Sequence, residues 1–322
     1  MQSNAQLPDV IYLVDLSVGG VFEITSLFPA TPVRIDTPGT LINPLGLSVD
    51  SRTGIVYVAD NTVPGIFSIT PPFPSVPVKI DAGGILTNPQ DTFIDSQTGI
   101  VYVAGGLAQA VYMLTPPFPA TPVRIDTAGL LSFPGSVSFD QSTGIVYVSG
   151  PTVAFGVYSI TPPFPTLPVR IDTPGTLLGA QGISVDPTTG VVYVAETGGV
   201  PQGIFSITPP FPSVPVRLEN PAGALSNPWG VSIDPVKGIL YVGVIGPGAG
   251  VFSITQPFPA SPVQIDTTGN PVRDVAYYQS LNAPVAGVAS PVNKLEILTP
   301  YLALAVLIAA VSTVIIIEKR KG

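Results

Sequence analysis

The stretch Asp50-Ser-Arg-Thr-Gly-Ile-Val-Tyr-Val-Ala59 returns as Asp95–Ala104, Asp140–Ser149, Asp186–Ala195 and, slightly altered, Asp234–Gly243. Its tyrosines, Tyr57, Tyr102, Tyr147, Tyr193 and Tyr241, lie 45, 45, 46 and 48 residues apart. Counting back the first interval reaches Tyr12 in Val10-Ile-Tyr-Leu-Val-Asp15, a sixth copy without its leading turn. A fixed period in this range is the signature of a propeller or solenoid. Each copy opens on an Asp whose carboxylate can accept backbone N–H groups two residues on, and its Gly supplies a turn conformation that other residues resist. The following Ile-Val-Tyr-Val-Ala is β-branched and aromatic, as in a strand, and does not alternate with polar residues. Both faces of that strand are therefore expected to be buried, as between blades stacked around an axis.

Three further strand types repeat with it. One precedes the Tyr strand: Asn43–Asp50, Asn88–Asp95, Pro134–Asp140, Gly179–Asp186 and Asn227–Asp234. A third reads apolar-aromatic-x-apolar-Thr, six times from Val21–Thr25 to Val251–Thr255. The fourth, from Val33-Arg-Ile-Asp36 to Val263–Asp266, alternates apolar and charged residues, as expected of a half-exposed outer edge. Arg34 and Asp36 would then form a surface ion pair of little energetic weight. Between the third and fourth strands stands a proline cassette, Pro71-Pro-Phe-Pro-Ser-Val-Pro77, with copies in every repeat. Proline fixes φ and cannot donate to a ladder, so the cassette should end one strand and stiffen the hairpin.

The phase of the ends decides how the repeats assemble. The chain starts on a second-type strand at Tyr12 and finishes on a first-type strand, Asn270–Tyr278. The last strand can thus complete the blade begun by the first, leaving no free edge at the seam. The expected fold is all-β: a six-bladed propeller of four-stranded antiparallel blades over residues 9–278, closed by pairing of the N- and C-terminal strands.

Gly46-Leu-Ser-Val-Asp50 followed by Thr53-Gly-Ile-Val-Tyr-Val-Ala-Asp60 resembles the NHL and YVTN-type propeller repeat. The resemblance implies a six-bladed ring whose relatives include binding modules, lactonases and lyases, so it speaks for fold rather than activity. The Asn-x-Arg that often follows Val-Ala-Asp in NHL repeats is absent, Asp60 being followed by Asn-Thr-Val-Pro-Gly65, which removes the basic face some NHL proteins use for nucleic acid. The histidines by which lyases of this outline hold zinc are absent too.

Composition narrows the chemistry. The chain has 322 residues, 10% charged, with a net charge of −8 and no histidine or cysteine. Ser-His-Asp triads, His- or thiolate-ligated metals and disulfides are therefore excluded. No basic cluster lies outside the last residues, so no nucleic-acid partner is expected.

The flanks read differently. Residues 1–8 are expected to be a disordered N-terminus or the remnant of a signal peptide. Residues 279–297 read as a linker, and 298–317 as a transmembrane helix, apolar over about 26–30 Å. Glu318-Lys-Arg-Lys-Gly322 is a basic tail of the kind that stays cytoplasmic, which would place the ring outside the cell. Lys294–Tyr301 with this span and tail resembles the C-terminal anchors of archaeal surface proteins.

In propellers of this type, ligands meet the loops leading into the first strand and those between the second and third, at the channel mouth. There the candidates are Asp15, Asp60 and Glu196, and Gln90, Asp91, Gln181, Trp229 and Asp274 around the first strands. Trp229 could stack a sugar or plug the hole. The expected function is a membrane-anchored extracytoplasmic binding module for a protein or glycan, with no catalytic residue and no cofactor. The alternative is a divalent-cation-dependent hydrolase of the lactonase type, in which converging carboxylates and amides hold a Ca²⁺-like ion.

Overall fold

The computed structural model describes residues 9–25, 28–127, 129–150, 155–199 and 202–279. Among these there is no helix, and 24 strands, β1 to β24 in chain order, form six sheets of four. The innermost strands are β4 (Pro44–Val49), β8 (Pro89–Asp95), β12 (Ser136–Asp140), β16 (Ala180–Val185), β20 (Pro228–Asp234) and β24 (Val272–Tyr278). The first five open blades 1 to 5. Blade 6 has the order β24-β1-β2-β3, where β1 is Val10–Asp15, β2 Gly20–Thr25 and β3 Val33–Arg34. Antiparallel pairs Val10–Tyr278, Tyr12–Ala276 and Leu13–Val275 close the ring, as the phase of the repeats implies. The linker, the apolar span 298–317 and the basic tail lie outside the described residues.

The repeated phrase is buried on both faces, Val56 to Asp60 being buried throughout. Its tyrosine packs against the Phe of the following blade's proline cassette: Tyr12 on Phe73, Tyr57 on Phe118, Tyr147 on Phe211, Tyr193 on Phe258 and Tyr241 on Phe28, all edge-on with centroids 6.1–6.4 Å apart. Only Tyr102 departs, stacking on Phe139 of β12 at 4.8 Å. The two most regular motifs of the sequence are thus two halves of one contact, and the core lies between blades rather than within them.

The cassette does more than end a strand. Its backbone reaches sideways and forms a parallel bridge with the end of the preceding blade's outer strand, in six copies from Asp36–Ser75 to Ala30–Asp266. This also corrects the reading of the outer edge. Only Val33 and Arg34 are in the ladder; Ile35 turns into the core, and the Asp36 side chain is fully buried. Asp36 Oδ1 accepts Val21 N–H at 2.9 Å, and Asp81, Asp126, Asp172, Glu219 and Asp266 repeat the bond to the residue fifteen positions earlier. The expected ion pairs do form, Arg34 with Asp36 at 2.9 Å and Arg170 with Asp172 at 2.8 Å, but the acid of each is buried and serves as an internal staple as well. Replacing Asp172 by Ala leaves the buried Val157 N–H and half of the Arg170 guanidinium without an acceptor. Denaturant unfolding should show a loss of about 2–4 kcal/mol; a loss below roughly 0.5 kcal/mol would restore the surface-pair reading.

Candidate functional site

The candidate residues fall into two groups. Asp15, Asp60 and Glu196 are consumed by loops. Asp60 Oδ2 accepts Ile42 and Asn43 N–H at 2.7 and 3.0 Å, while Oδ1 accepts Thr62 and Val63 N–H at 2.9 and 2.8 Å. Glu196 does the same for Leu178, Gly198 and Gly199, and Asp15 ties Ser17 to the Asn270 amide. Each carboxylate binds the loop between second and third strands to the loop leading into the inner strand. This positions the loops but does not bring these three acids together.

Gln90, Asp91, Gln181, Trp229 and Asp274 do converge. They surround a space of about 20 Å³ at the end of the channel where the chain enters the inner strands. Arg273, which sequence reasoning missed, fills that mouth. Its guanidinium lies 3.4 Å from the Trp229 ring centroid and donates to Gln90 Oε1 at 3.3 Å. Trp229 Nε1 donates to Asn227 Oδ1 at 3.0 Å. Aligning Val272–Tyr278 with the other inner strands places Arg273 level with Leu45, Gln90, Gln181 and Trp229, so the repeat itself could have revealed it. Trp229 is a plug, and Arg273 completes it.

Behind the plug stand two carboxylates. Asp91 accepts Ser136 Oγ–H at 2.6 Å and Val137 N–H at 3.0 Å on one oxygen, and Thr92 N–H at 2.7 Å on the other. Asp274 accepts Leu47 N–H at 2.8 Å. Thus Asp91 bridges blade 2 to blade 3, and Asp274 bridges blade 6 to blade 1. Burial pushes Asp91 up to about 6, against the hydrogen bonds from Ser136, Val137 and Thr92 and the attraction of Arg273. Asp274 is raised well above the ordinary carboxylate range by burial and then by the charge of Asp91. Burial lowers Arg273 to about 10.

The sign of the resulting pH dependence follows. A carboxyl with a raised folded-state pKa holds protons that the unfolded chain releases, so its stabilisation is complete below pH about 4 and is lost as pH rises through about 6. Asp81 and Glu219 are displaced in the same direction, again first by burial. Thermal unfolding should therefore come several degrees higher at pH 5 than at pH 7. An Asp91→Asn/Asp274→Asn variant should flatten that difference; a midpoint that falls on acidification contradicts it.

Asp91 and Asp274 also face the other way. Beyond them the channel widens into a cavity of about 300 Å³ that runs past the inner strands to Ser51, Ser96, Gln141 and Gln279 at the opposite face. Nothing in the sequence marked this volume, because it is bounded by strand edges rather than by a motif. Among the described residues, no group of three His, Cys, Asp or Glu side chains is placed to hold a metal ion.

The mouth face has one more feature. Val18, Val63, Leu107 and Phe155 are exposed on loops between second and third strands, and Ile42, Ile85, Leu130 and Leu178 on loops leading into inner strands. They form an apolar crescent across blade 6 and blades 1 to 4. Carboxylate caps hold several of these loops: Ile42 and Leu178 donate directly to Asp60 and Glu196.

This architecture defines a six-bladed β-propeller with a plugged channel. No family model matches the chain, and no curated protein matches it in sequence. Among solved structures, a chain of the nidogen/laminin complex superposes with a TM-score of 0.69 at 12% identity, over 85% of this chain and 99% of that one. A gluconolactonase of Xanthomonas campestris gives a TM-score of 0.52 at 15% identity over 84% and 97%. Hydrazine synthase of Kuenenia stuttgartiensis gives 0.54 at 14% over 76% and 73%. These likenesses are likenesses of fold.

Proposed function

We propose that the ring is a binding module that receives a protein partner on its mouth face, in the setting the sequence suggests: tethered by residues 298–317 to the outside of a membrane. The observation that carries the proposal is the crescent. Eight large apolar side chains are exposed on loops of this one face, and exposed apolar surface of this kind favours a protein partner. Four of them, Val18, Ile42, Val63 and Leu178, sit on loops held by buried carboxylates, an arrangement that offers contact area with little ordering entropy. That a nidogen/laminin chain shares the fold agrees with a protein-binding role. A glycan is the weaker alternative, because Trp229, the aromatic side chain at the mouth that could stack a sugar, already carries Arg273.

A photo-crosslinking residue placed at Leu107 should give adducts with a partner protein in the native host, whereas one at Val236, exposed on the opposite face, should give none. Equal labelling from both positions, or none from Leu107, overturns the mouth-face reading. Protease added to intact cells should cut within 279–297; full protection would remove the outward tether.

The hydrolase alternative requires a bound cation. Asp15, Asp60 and Glu196 spend their oxygens on backbone and amide donors, so these residues do not fit a hard-cation site. Thermal unfolding is accordingly expected to be unchanged by millimolar Ca²⁺, Zn²⁺ or Mn²⁺. A saturable rise with any one of them would favour the hydrolase instead.

A further inference from the structure

The apolar crescent has a basic border, and the two follow one pattern around the ring. Five outer strands end on a base: Arg34, Lys79, Arg124, Arg170 and Arg217, in blades 6, 1, 2, 3 and 4. Each donates to a carbonyl in its own blade's loop between second and third strands, that of Gly19, Pro64, Gln109, Phe155 and Gln202. The bases therefore stand on the mouth face, outside the exposed Val18, Val63, Leu107 and Phe155 of the same loops. Blade 5 has Gln264 at this position. Its mouth loops, 218–227 and 245–249, expose no large apolar side chain among the described residues. The blade without the base is the blade that the crescent leaves out.

At contact distance this border is cationic. The acid paired with each base, Asp36, Asp81, Asp126, Asp172 or Glu219, has 0–1% of its side chain exposed, against 19–40% for the bases. Asp15, Asp60 and Glu196, the loop-holding acids of the same face, are buried as well. In Arg34, Arg124 and Arg170, Nε and Nη2 are spent on acceptors of their own blade. Nη1 of each makes no hydrogen bond among the described residues. Each guanidinium is thus fixed by its buried acid and has one NH2 group left over. A fork held in this way loses little freedom when it meets an acceptor.

We propose that the protein received on the mouth face presents acidic side chains around an apolar patch. The apolar part covers the crescent, and the carboxylates meet Nη1 of Arg34, Arg124 and Arg170. This rests on the protein-binding reading and gives that partner its chemistry. A carboxylate makes charge-assisted bonds to a guanidinium, and an apolar centre inside a polar rim is the usual anatomy of a protein contact. An anionic lipid surface is the poorer match. Its attraction acts over a Debye length, roughly 8–10 Å, and over that range buried acids count as well as exposed bases. The chain's net charge of −8 then opposes approach.

The probe is a displayed library of random peptides, selected on the immobilised full chain. Enriched peptides should combine Asp or Glu with large apolar residues and should lose binding to Leu107→Ser. They should bind Arg34→Gln/Arg124→Gln/Arg170→Gln at least about tenfold more weakly. Gln264, which donates to Asp266 at 3.1 Å, shows that glutamine is accommodated at this position. Arg124→Gln alone, a change in one blade, should weaken binding severalfold. Peptides that need Leu107 but carry no acid, or that bind the triple variant unchanged, overturn the acidic partner and leave the protein-binding reading intact. Peptides indifferent to Leu107→Ser, or no enrichment, overturn both. Binding of phosphatidylglycerol vesicles through the same side chains would assign the face to a membrane and overturn the proposal.

Discussion

A chain ended after Pro271 is expected to lose cooperative thermal unfolding altogether. The cut removes β24, whose Val272 and Val275 are almost wholly buried and whose Ala276 pairs with Tyr12. Burial of two valines, with the covered parts of Tyr277 and Tyr278, contributes about 1.5–3 kcal/mol per side chain. The cut also bares β1 along its whole ladder and exposes Ile11 and Leu13 to the channel side. It deletes Asp274, the link from blade 6 to Leu47 of blade 1. The sum rivals the roughly 5–15 kcal/mol that separates most folded domains from their unfolded chains. Circular dichroism should show no sigmoidal transition, and the product should be sensitive to protease throughout. A truncated chain that still melts cooperatively would mean that five blades can close without the sixth being complete.

Gly230→Ala is expected to be among the costliest single substitutions. A Cβ there would stand 2.6 Å from Asp274 Cα and 2.9 Å from Val275 N, which are backbone atoms of the next blade and cannot swing aside. Gly46 meets Asp91 Cα in the same manner at 2.5 Å, and Gly182 meets Gly230 Cα at 2.9 Å. At these three positions the inner strand lies against the backbone of the next blade, and there a side chain larger than hydrogen must push two blades apart. The expected loss is at the upper end of the overpacking range, about 3 kcal/mol or more, read as a shift of the denaturation midpoint at unchanged slope. Gly39, with open space around it, tests the opposite case: its φ of +89° taxes a new side chain, but packing does not, so Gly39→Ala should cost only about 1 kcal/mol. If the two variants behaved alike, the close approach at Gly230 would not be what keeps a side chain from that position.

What could be read from the sequence divides along physical lines. The ring, its blade count and its seam were legible because each rests on periodicity, and periodicity survives without knowledge of contacts. Asp50 and its equivalents could be read as turn formers, and the bonds from Asp50 to Arg52 N–H and Thr53 Oγ–H bear that out. The outer-strand acids misled because alternation in four residues looks the same for an exposed edge and for a strand that leaves its ladder after two. Asp36 becomes buried through Ile35 turning inward, an event set by the neighbouring blade. Among site residues, the local patterns did not distinguish Asp60, which faces its own loops, from Asp91, which faces the next blade. Arg273 was visible only by comparing a position with its counterparts around the ring.

The pairing of Val10 with Tyr278 has a consequence for access. Residues 9 and 279 leave the ring side by side, on the face carrying the Asp50-type turns, next to the opening of the larger cavity that Gln279 itself lines. The cavity's opening and the points where the described chain begins and ends, residues 9 and 279, thus share one face of the ring, and the crescent lies on the other.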